Sequence, residues 1–237
     1  MQGAITMQQP VPQPNLDQER SRLVDHFKRA YQIVVGLSIT LACTKLFPTG
    51  FVQFPLDTSF WLFCAFFVTV VPIFHGGDRS LDIKYLQPQK PGFWRYFAYI
   101  WDVYMLLVTA ILFVKIAQAI PLPKLESNSA IFSAVPAPTT PHFFYLWMAA
   151  MLAADAIILF VDWIKSALLK IERRAAFGGY LPWIVLNSAL CAICLLAAFP
   201  PDLISTCSEQ TVALIVFLCA FARTFMDYIY GRNFMFP

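Results

Sequence analysis

The sequence predicts an all-α integral membrane protein, a bundle of about six transmembrane helices with both termini on the cytoplasmic side. Three observations predict it: the composition, six apolar stretches, and the placement of Lys and Arg. Of 237 residues, 59% are hydrophobic, 16% aromatic and only 13% charged, where a soluble domain carries about a quarter of its residues as charged. A water-facing surface cannot be built from that supply. The mean hydropathy of +0.62 and the 23 phenylalanines suit a chain solvated by lipid. The net charge of +3 forms no basic stripe, which argues against a nucleic-acid partner.

Residues 1–29 form an N-terminal tail expected to be cytoplasmic and partly disordered. Its first fifteen residues are rich in Gln and Pro and lack the apolar core of a cleavable signal peptide. Residues 30–232 then make a single polytopic domain. A span needs roughly 20 mostly apolar residues to cross about 30 Å of hydrocarbon, and six stretches come near that length: 31–47, 59–74, 97–120, 143–164, 180–199 and 211–228. The first two are short, and Lys45 lies inside the first, so a re-entrant hairpin or a pair of thin, tilted helices is the alternative there. The breaks are rich in Pro, Gly or charge. The longest, 121–142, is Pro-rich and reads as a flexible external connector.

Fourteen of the 17 Lys and Arg residues fall before the first stretch, after the second, after the fourth and at the end of the sixth; the other three are Lys45, Lys115 and Lys124. Basic residues are retained on the cytoplasmic side, so this split places both termini inside, in a plasma or bacterial inner membrane. Phe93, Trp94 and Tyr96, then Phe143, Phe144, Tyr145 and Trp147, are expected as interfacial anchors at helix ends.

Ionisable side chains within a span cost about 2.5–3.5 kcal/mol at its centre and so mark partners, water or function. Asp155 lies midway along the fourth stretch. Asp162, seven residues on, shares its helix face. Asp102 occupies the inner part of the third stretch, and Trp101-Asp102 faintly echoes Asp162-Trp163. No Arg or Lys lies at the depth of Asp155, so it is expected to be protonated, hydrogen-bonded to Asn187 or a threonine, or lining a hydrated cavity. Arg223 and Asp227, spaced i, i+4, are expected to pair. After the second stretch, Gly76 and Gly77 are expected to break the helix, with His75, Asp78, Arg79 and Asp82 around them. All these acids and bases except Asp155 fall in one leaflet, and bundling would let His75, Asp78, Asp82, Asp102, Asp162, Arg223 and Asp227 meet in one polar layer at the inner face.

That layer has two readings. His75, Asp78 and Asp82 are the candidates for catalysis or metal ligation, but H-x-x-D-x-x-x-D is not a specific metal signature, so caps and ion pairs with Arg79 and Arg223 are preferred. No metal or cofactor is expected. Cys191 and Cys194 have CxxC spacing inside an apolar run with no second pair, which reads as packing. Ala149 with Ala153, and Ala150 with Ala154, make small-xxx-small pairs for close helix contact, within the chain or between subunits.

P-loop, HExxH, GxSxG and dinucleotide-binding motifs are missing from the sequence. The leading reading is a scaffold, sensor or effector subunit in a homo-oligomer or with a cytoplasmic protein partner, more plausibly not an enzyme. Arg79, Lys170, Arg173 and Arg174 would dock that partner or anionic lipid head groups. The alternative is a channel or a small-solute, proton-linked transporter using Asp155 and Asp162. Third comes a membrane-interface enzyme built on His75, Asp78 and Asp82.

Overall fold

The structure, a computed structural model, describes residues 16–47, 56–86, 93–123, 140–168, 180–200 and 206–231. Those residues form six helices and no strand: α1 (Leu16–Leu46), α2 (Thr58–Leu81), α3 (Phe93–Ala119), α4 (Pro141–Leu168), α5 (Tyr180–Ala198) and α6 (Glu209–Tyr230). Five of them, all but α1, are long and apolar enough to cross a membrane, and only 22–39% of each apolar window is buried. The remaining apolar faces point outward, where only lipid can accept them without cost. The first expected span, 31–47, falls on α1, whose apolar half follows a charged half carrying Arg22, Asp25, Lys28 and Arg29.

The helices make a ring. α1 packs on α3, α3 on α4, α4 most extensively on α5, α5 on α6, α6 on α2, and α2 returns to α1. Three contacts tie one end of the ring together. The Lys45 ammonium donates to the carbonyls of Gln118 and Ile120 at the end of α3, His142 Nδ1 meets Ala198 O at 2.8 Å, and Gln210 Nε2 donates to Leu56 O at 2.7 Å. Lys45 therefore caps carbonyls that the helix leaves unpaired, at the terminus where a cation is favoured. Asp57 caps α2 and Ser208 caps α6 through backbone N–H groups of Phe60 and Thr211, each at 3.1 Å. This Lys45 end is filled by apolar side chains, among them Phe66, Phe113, Phe144, Met148 and Leu152, all fully buried.

α2 departs from expectation. The second span was expected over 59–74, with Gly76 and Gly77 ending it, yet α2 continues through both glycines to Leu81 and then into a π-helical turn, Asp82–Leu86. The backbone still lies against α1 and α3 there, so its polar groups keep the helical ladder. Gly77 serves packing. A Cβ on it would lie 2.7 Å from Leu106 Cδ2 and 3.6 Å from the Tyr31 hydroxyl, so the bare backbone admits α3 and α1 together. Pro72 also lies inside α2. It has no N–H for the Val68 carbonyl, and Thr224 Oγ1 of α6 donates to that oxygen instead, at 2.6 Å.

Two further expectations change. Phe144 and Tyr145 are core residues, 0% and 3% exposed, whereas Phe143 and Trp147 face outward; α4 begins at Pro141, so the first pair already lies within the ring. Ala149 is buried against α5, where the Cys191 thiol reaches its carbonyl at 3.3 Å, and Cys194 is buried beside it. That part of the small-residue face is spent inside the chain. The side chains of Phe93, Trp94 and Tyr96, and residues 1–15 and 124–139 of the expected tail and external loop, lie outside the described residues.

Candidate functional site

At the end opposite Lys45, polar and charged side chains from all six helices turn inward in three sets. In the first, the Lys28 ammonium of α1 lies 3.0 Å from Asp78 and 2.9 Å from Asp82, bridging α1 to α2. Burial alone would lower that ammonium, but hydrogen bonds and charge from Asp82 and Asp78 outweigh it and hold Lys28 above its ordinary value.

The second set joins three helices. Lys84, carried on the π-helical turn after α2, lies 3.0 Å from both Asp102 of α3 and Asp162 of α4. The Tyr85 hydroxyl donates to Asp102 Oδ2 at 2.8 Å. A π turn widens the helix by one residue per turn and re-aims the side chains that follow. Here it carries two consecutive residues to the same carboxylate.

The third set lies deeper and runs across α4, α5 and α6. Asn187 Nδ2 donates to Asp155 Oδ2 at 2.5 Å, Asn187 Oδ1 accepts from Arg223 Nε at 3.0 Å and from Nη2 at 2.7 Å, and Arg223 Nη1 lies 2.6 Å from Asp227 Oδ2. Arg223 and Asp227 are 4% and 1% exposed. A guanidinium so deep is tolerable because Asn187 Oδ1 takes hydrogen bonds from its Nε and Nη2 while the Asp227 carboxylate balances its charge in an ion pair. Asn187 is the hub, since its amide donates toward the acid and accepts from the base.

Between the second and third sets is a cavity of about 140 Å³. Asp155, Thr109 and Pro72 lie at its deep end, and Lys84, Asp102, Asp162 and Tyr180 toward the helix ends. Its walls are otherwise mostly apolar, and Arg223 and Trp183 complete them. α2 presents Pro72, Gly76 and Gly77 to it, three residues that leave that wall thin. The chain matches no protein-family model, no curated protein and no solved structure. Function is therefore argued from this geometry.

Asp102, Asp155, Asp162 and Arg223 surround one cavity, with Asn187 and Asp227 in hydrogen-bond and ion-pair contact behind them. His75 is turned elsewhere. Its ring faces Tyr228 of α6, with centroids 6.5 Å apart, while Asp78 and Asp82 address Lys28 of α1 on the other flank of α2. Among the described residues no three His, Cys, Asp or Glu side chains are placed to hold a metal ion. The inner layer expected from sequence, with Asp155 apart from it, is divided: Lys28 and Lys84 gather separate pairs of acids, and Arg223 and Asp227 join Asp155 through Asn187. Arg79 lies in α2 beside the first set, while Lys170, Arg173 and Arg174 fall outside the described residues.

Sequence reasoning missed Lys28 and Lys84 as partners of the acids, having assigned that role to Arg79 and Arg223. It counted both lysines only as topology markers. Tyr85, Trp183 and Thr224 were also missed. Only Thr224 had a signal available: a proline inside a span leaves a carbonyl that a neighbouring hydroxyl can serve.

Proposed function

We propose that this chain is a membrane carrier for a small polar solute, linked to protons or another cation through Asp155 and Asp162. The observation that carries this reading is the cavity itself. It reaches from charged helix ends to a carboxylate midway along α4, and the bundle beyond is packed with apolar side chains. A site accessible from one side and sealed from the other is what alternating access requires of one state.

The charge split supports an orientation with the Lys84 end and both termini facing the cytoplasm, in a plasma or bacterial inner membrane, and with α1 crossing as a sixth span. Cys207 tests it. It is exposed, while the other five cysteines lie in helices as buried or half-buried side chains. A membrane-impermeant maleimide should label intact cells at Cys207 only; labelling that needs permeabilised cells would invert the topology.

Transport is tested with purified protein in sealed liposomes, measuring proton and monovalent-cation flux for wild type and Asp155→Asn. Flux that the substitution abolishes is the expected result. Tight vesicles for both proteins under imposed pH and voltage gradients would sink the reading. They would move weight to a scaffold, sensor or effector subunit working in a homo-oligomer, with a cytoplasmic protein or on anionic lipid. One observation favours that second reading: Gly36 on α1 has no atom within 4 Å of where a Cβ would stand, and its neighbours Ile33 and Leu37 face outward, a bare helix face suited to a second copy. A monomeric mass by light scattering in micelles would remove the oligomeric form of it.

A further inference from the structure

We infer that the cavity takes a small organic monocation of the alkylammonium class, with its charge on Asp155 and its alkyl groups against the apolar walls. The inference rests on the carrier reading and names the solute. Charge decides its sign. Lys84 and Arg223 stand against Asp102, Asp162, Asp155 and Asp227, so the ionised set holds two negative charges more than positive ones. An anion would deepen that imbalance in a medium of low dielectric, and a monocation relieves it.

Each set carries one carboxylate more than it has cations, but the two hold that excess differently. Asp102 and Asp162 both contact the Lys84 ammonium, and Asp227 contacts the Arg223 guanidinium. Asp155 is bound by the neutral amide of Asn187, and among the described residues no cation lies within ion-pair distance of it. Among the described residues it is the cavity carboxylate with no cation in ion-pair contact, and so the one a new cation can pair with directly.

Size and surface narrow the class. An engineered apolar cavity of about 150 Å³ holds benzene, so about 140 Å³ admits about five or six non-hydrogen atoms. Ile73, Leu106, Ile158 and Leu159 give it walls for methyl or methylene groups, and Trp183 adds a ring face that attracts ammonium. A strongly hydrated inorganic ion would find few oxygens there to replace its water. An alkylammonium loses little hydration and gains both contacts.

The test uses the full chain in detergent micelles, titrated with tetramethylammonium chloride and separately with tert-butanol, which has the same size and shape without charge. Ionic strength is held with sodium chloride, and tryptophan fluorescence is the readout because Trp183 lines the cavity. Saturable binding of tetramethylammonium, tighter than tert-butanol by at least about tenfold, is expected, with the preference lost in Asp155→Asn. Equal affinities, no saturation by tetramethylammonium, or a preference that survives Asp155→Asn would each overturn the inference. The wild-type comparison decides even if the variant fails to fold. Asp155-dependent flux in liposomes without tetramethylammonium preference would show the solute class wrong and the carrier reading intact; absence of both would remove the two together.

Discussion

Replacing Thr224 by Val should destabilise the bundle through a carbonyl on another helix. Pro72 leaves Val68 O without its intrahelical donor, and the Thr224 hydroxyl fills that place from α6 at 2.6 Å. Valine keeps the shape and removes the bond. An acceptor left unpaired in an apolar interior costs about 1–3 kcal/mol, whereas interhelical hydrogen bonds in membranes average about 0.6 and reach about 1.7 kcal/mol, because the unfolded helices also find partners. Proline at position 72 removes the regular i+4 donor of Val68 O, so the expected loss is near the top of that range, about 1.5 kcal/mol. Pro72→Ala supplies the control. It restores an N–H to position 72, the ladder bond to Val68 O can re-form, and Thr224→Val in that background should cost less than about 0.5 kcal/mol. The four proteins would be compared by reversible SDS-driven unfolding in mixed micelles, followed by far-ultraviolet circular dichroism. Equal cost of Thr224→Val with proline or alanine at position 72 would refute the reasoning.

Asn187→Leu should be the most damaging single change in the deep polar set, by about 3–5 kcal/mol, because it strips partners from two buried charged groups at once; a loss under about 1 kcal/mol in the same unfolding assay would show that Arg223 and Asp155 are satisfied without it. Lys28→Gln tests the latch between α1 and α2 through pH. The Lys28 value is raised in the folded state, so its contribution is fully present below the ordinary lysine value of 10.5 and is lost as pH rises through the higher folded value. The stability difference between wild type and Lys28→Gln should stay constant from neutral pH to 10.5 and shrink beyond it. A difference that vanished well below that value would mean the ammonium is not what holds the two helices.

The helical membrane character was legible because it depends on long averages: five stretches of the sequence correspond to five helices whose length and hydropathy suit a bilayer. Their ends were less legible where a local rule met a packed environment. Gly76-Gly77 reads as a stop, yet Tyr31 and Leu106 press on that backbone and keep it helical. Phe144 and Tyr145 read as interfacial because they lie near a helix start, but the start is at Pro141, which carries them into the core. The site was legible in its acids and obscure in its bases. A carboxylate within an apolar stretch is conspicuous by its cost. A lysine at the end of a stretch, such as Lys84, is also the normal mark of a membrane boundary, and nothing local separates the two roles. Asp102 and Asp162 are 60 residues apart in the chain, and only the fold reveals that they address the same ammonium.

Among the described contacts, each of the three polar sets gathers two carboxylates about one central cation, and this bears on what the bundle is for. If ion pairs existed here only to fasten helices, each cation would need one carboxylate, since the second adds repulsion between acids without adding a bond between new partners. At Lys28 both acids lie on α2 or the turn that follows it, so the second joins nothing further. At Lys84 the second acid brings in another helix, which offsets part of its cost. At Arg223 the second acid is Asp155, held through a neutral amide and turned to the cavity. It fastens little that Asn187 and Arg223 do not already fasten. The proposal that Asp155 receives a positive charge in turn would account for a carboxylate placed at membrane depth for so small a structural return.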